Sequence, residues 1–197
     1  ETSGLISSQP AGGRRVGSVG KPVTGVDVRI EAPDGTVLPA GEDGEICVRG
    51  PVLMTGYWQS PEATEHAVKD GWLRTGDIGH YDEDGFLYVV DRIKDLIIRG
   101  GFNVYPRDVE DVLLAHPAVV AAAVVGKPDP KLGEEVVAFV QLDGEVTAED
   151  LIAYAREHLG AYKYPREVRI VDSIPLTSVM KLDRKALRAR LSADRPT

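Results

Sequence analysis

The stretch Asp91-Arg92-Ile93-Lys94-Asp95-Leu96-Ile97-Ile98-Arg99-Gly100-Gly101-Phe102-Asn103-Val104-Tyr105-Pro106 decides how the chain divides. Charges at Asp91, Arg92, Lys94 and Asp95 give way to the apolar run Leu96 to Ile98, which stops at the pair Gly100 and Gly101. That order predicts a polar joint, a short strand, and then a loop whose backbone lies open to a ligand. Taken alone, the same pattern also describes a surface hairpin. With a joint here, one domain is expected over residues 1–93 and a second over 94–197.

Downstream of the joint, strand and helix patterns alternate. Pro106 and Arg107 lead into Val109, Val112 and Leu113 at helical spacing, stopped by His116-Pro117. The runs Val119 to Val125 and Val136 to Leu142 are nearly all apolar, as in buried strands. Thr147-Ala148-Glu149-Asp150 predicts a capping box and a helix to about Leu159, with Leu151, Ile152, Ala155 and Leu159 inward. Val168 to Val171 is a third strand, and Asp183 caps a last helix whose Ala186, Leu187 and Leu191 face the core. This half is expected to be a compact α/β sandwich.

Upstream, Val26, Val28 and Ile30 alternate with charged residues, Glu45 to Arg49 is another strand, and Val37-Leu38 joins them in a small twisted sheet or barrel. Ser60-Pro61-Glu62 predicts a hydroxyl-capped helix ending near Asp70-Gly71. The strands Ile78 to Tyr81 and Phe86 to Val90 flank the turn Asp84-Gly85, giving a hairpin with Asp77 at its mouth. The expected fold is therefore α+β, a small distorted β-barrel subdomain followed by a compact α/β domain.

Composition excludes several classes. The 197 residues are 43% hydrophobic and 27% charged, which suits a globular chain, and the net charge of −8 argues against nucleic-acid or anionic-lipid partners. No stretch approaches the roughly 18 apolar residues of a membrane helix. The single Cys47 sits in a strand pattern as a small core residue, fitting a reducing, cytoplasmic compartment. Gly20-Lys21 fails as a phosphate loop because Arg15 and Pro22 replace the required glycine and hydroxyl. His66, His80, His116 and His158 show no metal-ligand spacing and read as structural or surface residues.

Five ordered motifs carry a resemblance. Asp91 to Pro106 resembles the hinge motif of the adenylate-forming enzymes, the superfamily of acyl-CoA synthetases, luciferases and peptide-synthetase adenylation domains. Glu1-Thr2-Ser3 is similar to the end of the Tyr-Gly-x-Thr-Glu motif, Gly44-Glu45-Ile46-Cys47-Val48-Arg49-Gly50 to Gly-Glu-Leu-x-Val-x-Gly, and Arg74-Thr75-Gly76-Asp77 to Tyr-Arg-Thr-Gly-Asp. Leu176 to Arg188 resembles the C-terminal lysine motif.

The resemblance implies an acid-CoA ligase acting on a carboxylic acid of the fatty-acid class with ATP, Mg2+ and coenzyme A. It implies nucleotide contacts from Asp77, Arg92 and the catalytic Lys181, a Mg2+ ligand in Glu1, a hinge at Lys94, and a coenzyme A loop at Arg99, Gly100 and Gly101. It also implies that Lys181 is a target for a lysine acetyltransferase, and that a chain starting inside a family motif is a piece of a longer enzyme, inactive alone. Met180 departs from the family glycine before the lysine, which puts the pose of Lys181 in question. Two other readings remain open: an amino-acid or aryl-acid adenylation domain loading a carrier protein, and a non-catalytic interaction module.

Overall fold

A computed structural model describes residues 1–193, in two compact units, Glu1–Lys94 and a second that begins at Asp95. The break falls one residue beyond the expected boundary.

The first unit opens with the short strands β1 (Ser7–Ser8) and β2 (Lys21–Pro22), paired antiparallel. Its main sheet comprises β3 (Asp27–Glu31), β4 (Gly44–Arg49), β5 (Val68–Lys69), β6 (Trp72–Tyr81) and β7 (Leu87–Arg92). The strand order is β3-β4-β6-β5, with β7 following β5 along the same edge of β6. The sheet curls into an open half-barrel around Val26, Ile30, Ile46, Val48 and Leu87. Alternation put every second residue of β3 and β4 on one face, and that face became the core.

The helix α1 (Pro61–Ala67) corrects two expectations. The Ser60 hydroxyl makes no capping bond, and only its backbone carbonyl joins the helix, accepting from the Thr64 amide at 3.1 Å and the Thr64 hydroxyl at 3.0 Å. Asp70-Gly71 does not end the helix but turns β5 into β6, with φ of 52° and 76°. Two successive positive φ values are what a tight two-residue hairpin demands, and Asp-Gly meets that demand better than it stops a helix.

The second unit contains β8 (Ile97–Arg99), β9 (Phe102–Val104), α2 (Pro106–Leu114), β10 (Val119–Asp129), β11 (Gly133–Leu142), α3 (Ala148–His158), β12 (Glu167–Ile170) and α4 (Arg184–Ala193). A central β11 pairs antiparallel with β10, parallel with β12, and at Gly133 with Arg99 of β8. Helices α2 and α3 pack Val109, Leu113, Leu151 and Ala155 on one face of the sheet, while α4 packs Leu187 and Leu191 on the other. Covering both faces explains why β10 and β11 are apolar without alternation. The capping box of Thr147 and Asp150 forms as expected, and the Ala186 amide donates to Asp183 at 2.9 Å.

Among the described residues of this unit two acids are buried, Asp95 and Glu110. Arg184 donates to both oxygens of Glu110, at 2.7 and 2.9 Å, and Arg188 donates to Asp95 at 3.1 Å. Glu110 also accepts the Val124 amide at 2.8 Å, so the ion pair ties α2, β10 and α4 together. Removing one partner of a buried pair leaves an uncompensated charge, whereas removing both is often nearly neutral. Arg184→Met should therefore destabilise the unit by about 3 kcal/mol, and Glu110→Met with Arg184→Met by less, measured as urea midpoints. A double variant weaker than either single variant would contradict this account.

Candidate functional site

The site begins with a rupture in the β4–β6 ladder. Glu45 faces Ile78 and Cys47 faces Arg74, so Ile46 alone stands opposite Thr75, Gly76 and Asp77. The surplus residues bulge from the sheet, and bulges of this kind re-aim side chains. Asp77 keeps its pairing on the other side, opposite Arg92 of β7.

At the bulge, the Gly76 and Asp77 amides and the Ile46 carbonyl are satisfied by side chains, as buried backbone groups require. The Thr75 hydroxyl donates to the Ile46 carbonyl at 2.8 Å and accepts the Asp77 amide at 3.1 Å. The Glu45 carboxylate accepts the Gly76 amide at 3.1 Å through one oxygen and Arg74 at 3.0 Å through the other. Arg74 also donates at 2.8 Å to Glu31, which is 3% exposed and paired with Arg29 as well. The guanidinium of Arg29 lies 3.9 Å above the Trp72 ring.

Beside the bulge lies a cleft of about 720 Å³, within the size range of small-molecule sites. Glu1, Asp77, Arg92 and Lys94 all line it, although they come from three separate stretches of sequence. Arg92 approaches Asp77 at 3.2 Å. The Glu1 carboxylate accepts the Tyr57 hydroxyl at 2.7 Å, a bond that raises the phenol pKa, and the Glu1 carbonyl accepts the Met54 amide at 2.8 Å. Sequence reasoning gave no site role to Glu31 or Tyr57 and read His66 as structural or surface, yet Tyr57 and His66 both line the cleft. It quoted Glu45 only as part of a motif.

Glu1 offers a single carboxylate, and the described residues hold no cluster of three His, Cys, Asp or Glu side chains suited to a metal. A lone carboxylate fits Mg2+, which is commonly held by one or two carboxylates together with phosphate oxygens of a substrate. Cys47 lies next to the acids and is fully buried; burial, with Glu31 and Glu45 nearby, pushes its pKa up to about 12. It is a core residue with an inert thiol, as expected.

The other candidate residues lie in the second unit. Gly100 and Gly101 form the two-residue turn between β8 and β9, with φ of 58° and 85°. The pair is thus required by the backbone itself. A Cβ on Gly101 would meet nothing within 4 Å. Arg99 is committed to Glu135, with bonds of 2.5 and 3.0 Å that raise its pKa further.

Lys181 is exposed on a hairpin formed by the bridge between Leu176 and Leu182. The Thr177 amide donates to the Lys181 carbonyl at 2.7 Å, and the Met180 amide donates to the Thr177 carbonyl at 2.9 Å. Met180, 76% exposed, holds a φ of 58°. Methionine therefore occupies the backbone region that glycine favours, and the turn closes around it.

Comparisons with known proteins fall on the same residues. Residues 1–58 match the family described as AMP-binding enzyme, and residues 108–181 match AMP-binding enzyme C-terminal domain. The chain is 49% identical to a 2-succinylbenzoate–CoA ligase of Bacillus cereus, covering 88% of this chain and 36% of that protein. It is 45% identical to a long-chain-fatty-acid–CoA ligase of Yersinia pestis, covering 95% and 34%. The solved o-succinylbenzoate coenzyme A synthetase of Bacillus subtilis, in complex with ATP and magnesium ion, matches with a TM-score of 0.79 and 43% identity, covering 90% and 36%. The chain thus spans about a third of the length of the curated relatives it matches.

The positive φ at Met180 carries a strain of about 1 kcal/mol for a residue with a Cβ. Since the side chain is exposed, Met180→Gly should raise the melting temperature, while Met180→Ala should not. A lower melting temperature for the glycine variant would show that the thioether packs usefully and the angle costs little. On its motifs, its fold and these likenesses, the chain belongs to the AMP-binding, adenylate-forming enzyme family.

Proposed function

We propose that this sequence supplies part of an acid-CoA ligase, which activates a carboxylic acid with ATP as acyl-AMP and then passes the acyl group to coenzyme A. What supports the reading most is the convergence of Glu1, Asp77, Arg92 and Lys94 on one cleft. The 2-succinylbenzoate and long-chain-fatty-acid ligases among its relatives favour coenzyme A as acceptor over a carrier protein.

The roles follow from charge. Asp77 is an acceptor for two ribose hydroxyls, the geometry in which a carboxylate binds a diol best. Arg92, beside it, contacts the same ribose. Attack of a carboxylate on phosphorus brings two anions together, so the transition state needs a cation that reaches both. Lys181, exposed on its hairpin, is that cation. Glu1 would hold Mg2+ together with the triphosphate, and the ion would supply charge neutralisation for the departing pyrophosphate. Lys94, last residue of the first unit, is the pivot about which the second unit turns between the two steps. The Gly100-Gly101 turn then presents bare backbone to pantetheine.

In the enzyme carrying this sequence, Lys181→Ala should slow acyl-AMP formation by about 100-fold or more, yet leave thioester formation from supplied acyl-AMP intact. Acetylation of Lys181 by a lysine acetyltransferase would remove the same charge and should mimic the variant. Equal loss of both steps would defeat this division of labour. Gly101→Leu should do the reverse, but it also strains the turn. Gly101→Asn tolerates a positive φ, so a thioester defect shared by both variants supports a narrow channel. A defect confined to leucine would assign the glycine to the turn alone.

A further inference from the structure

The Gly-Glu-Ile-Cys-Val-Arg-Gly stretch has no part in the chemistry above, yet its acid is the only side chain bound to the Gly76 amide among the described hydrogen bonds. Gly76 lies between Thr75 and Asp77 at the crest of the bulge, with φ of 72°. The backbone there has left the β4 ladder, so its direction is set by what replaces the ladder. Glu45 does so with one oxygen while Arg74 holds the other, and Arg74 is itself anchored on the nearly buried Glu31.

We infer that Glu45 is a positioning residue for ribose recognition: through the Gly76 amide it fixes the bulge in the one orientation that turns Asp77 toward the hydroxyls of a nucleotide. This rests on the acid-activating reading proposed above. Glu45 acts through the backbone of the bulge, and its chain of contacts runs Glu31, Arg74, Glu45, Gly76, Asp77. The ligand concerned is a ribonucleotide, discriminated by its 2′ and 3′ hydroxyls.

The test compares kcat/KM for ATP and for 2′-deoxy-ATP and 3′-deoxy-ATP in the enzyme carrying this sequence. Asp77→Ala should abolish the preference for ATP, and if it does not, the ribose role of Asp77 itself falls. Given that effect, Glu45→Ala should lower the preference by about tenfold or more, mainly through KM for the nucleotide. Glu45→Gln, which keeps an oxygen for the Gly76 amide, should restore most of it. An unaltered preference in a folded Glu45→Ala variant overturns the inference while leaving the role of Asp77 standing. Where Glu45→Ala does not fold, Thr75→Val and Thr75→Ser give the same contrast at the second tie of the bulge. Loss with valine and rescue with serine support a bulge that must be held, and equal preference in both overturns it.

Discussion

An interrupted β-ladder must replace the hydrogen bonds it gives up, and the first unit is built around one such interruption. Opposite Ile46, three residues of β6 stand where one would continue the sheet. Leaving the Gly76 and Asp77 amides bare in a partly buried place would cost roughly 1–3 kcal/mol each. Thr75 and Glu45 meet that need, and Glu45 can do so because Arg74, itself held by Glu31, balances its charge. The cleft residue Asp77 owes its direction to this chain of contacts and to its pairing with Arg92.

The second unit solves a different problem. Its sheet is covered on both faces, so any acid in its interior must carry its own cation. Arg184 and Arg188, on the helix that follows the Lys181 hairpin, provide these cations for Glu110 and Asp95. The hairpin is therefore fastened at its C-terminal end to α2 and to the residue that begins the unit. An exposed lysine on a firmly anchored stem combines reach with a fixed origin. The Met180 turn shows the same economy, since a Cβ in the left-handed region is tolerated where the side chain meets only solvent.

Much of this was legible in the chain itself. The apolar runs of β10 and β11, the Thr147 box, the Asp183 cap and the buried Cys47 all followed from local pattern. So did the family, because its motifs are contiguous stretches. Asp70-Gly71 was misread, since a dipeptide that ends helices also turns hairpins, and only the pairing of Lys69 with Trp72 distinguishes the two. Ser60 was misread because its backbone, with φ of −138° and ψ of 71°, departs from the extended conformation in which a cap hydroxyl reaches the amides of the first turn.

What the sequence determined alone was the order of elements, the motif residues, and the membership of an enzyme family, all of which depend on neighbours within a few positions. Tertiary structure alone decided that Glu31, Arg74 and Glu45 form one charged chain, that Tyr57 and His66 reach the cleft, and that Gly76 leaves the ladder. The physical reason is that a bulge is a mismatch between two strands. Neither strand carries it separately, and partners 29 to 43 positions apart leave no periodic trace in a sequence.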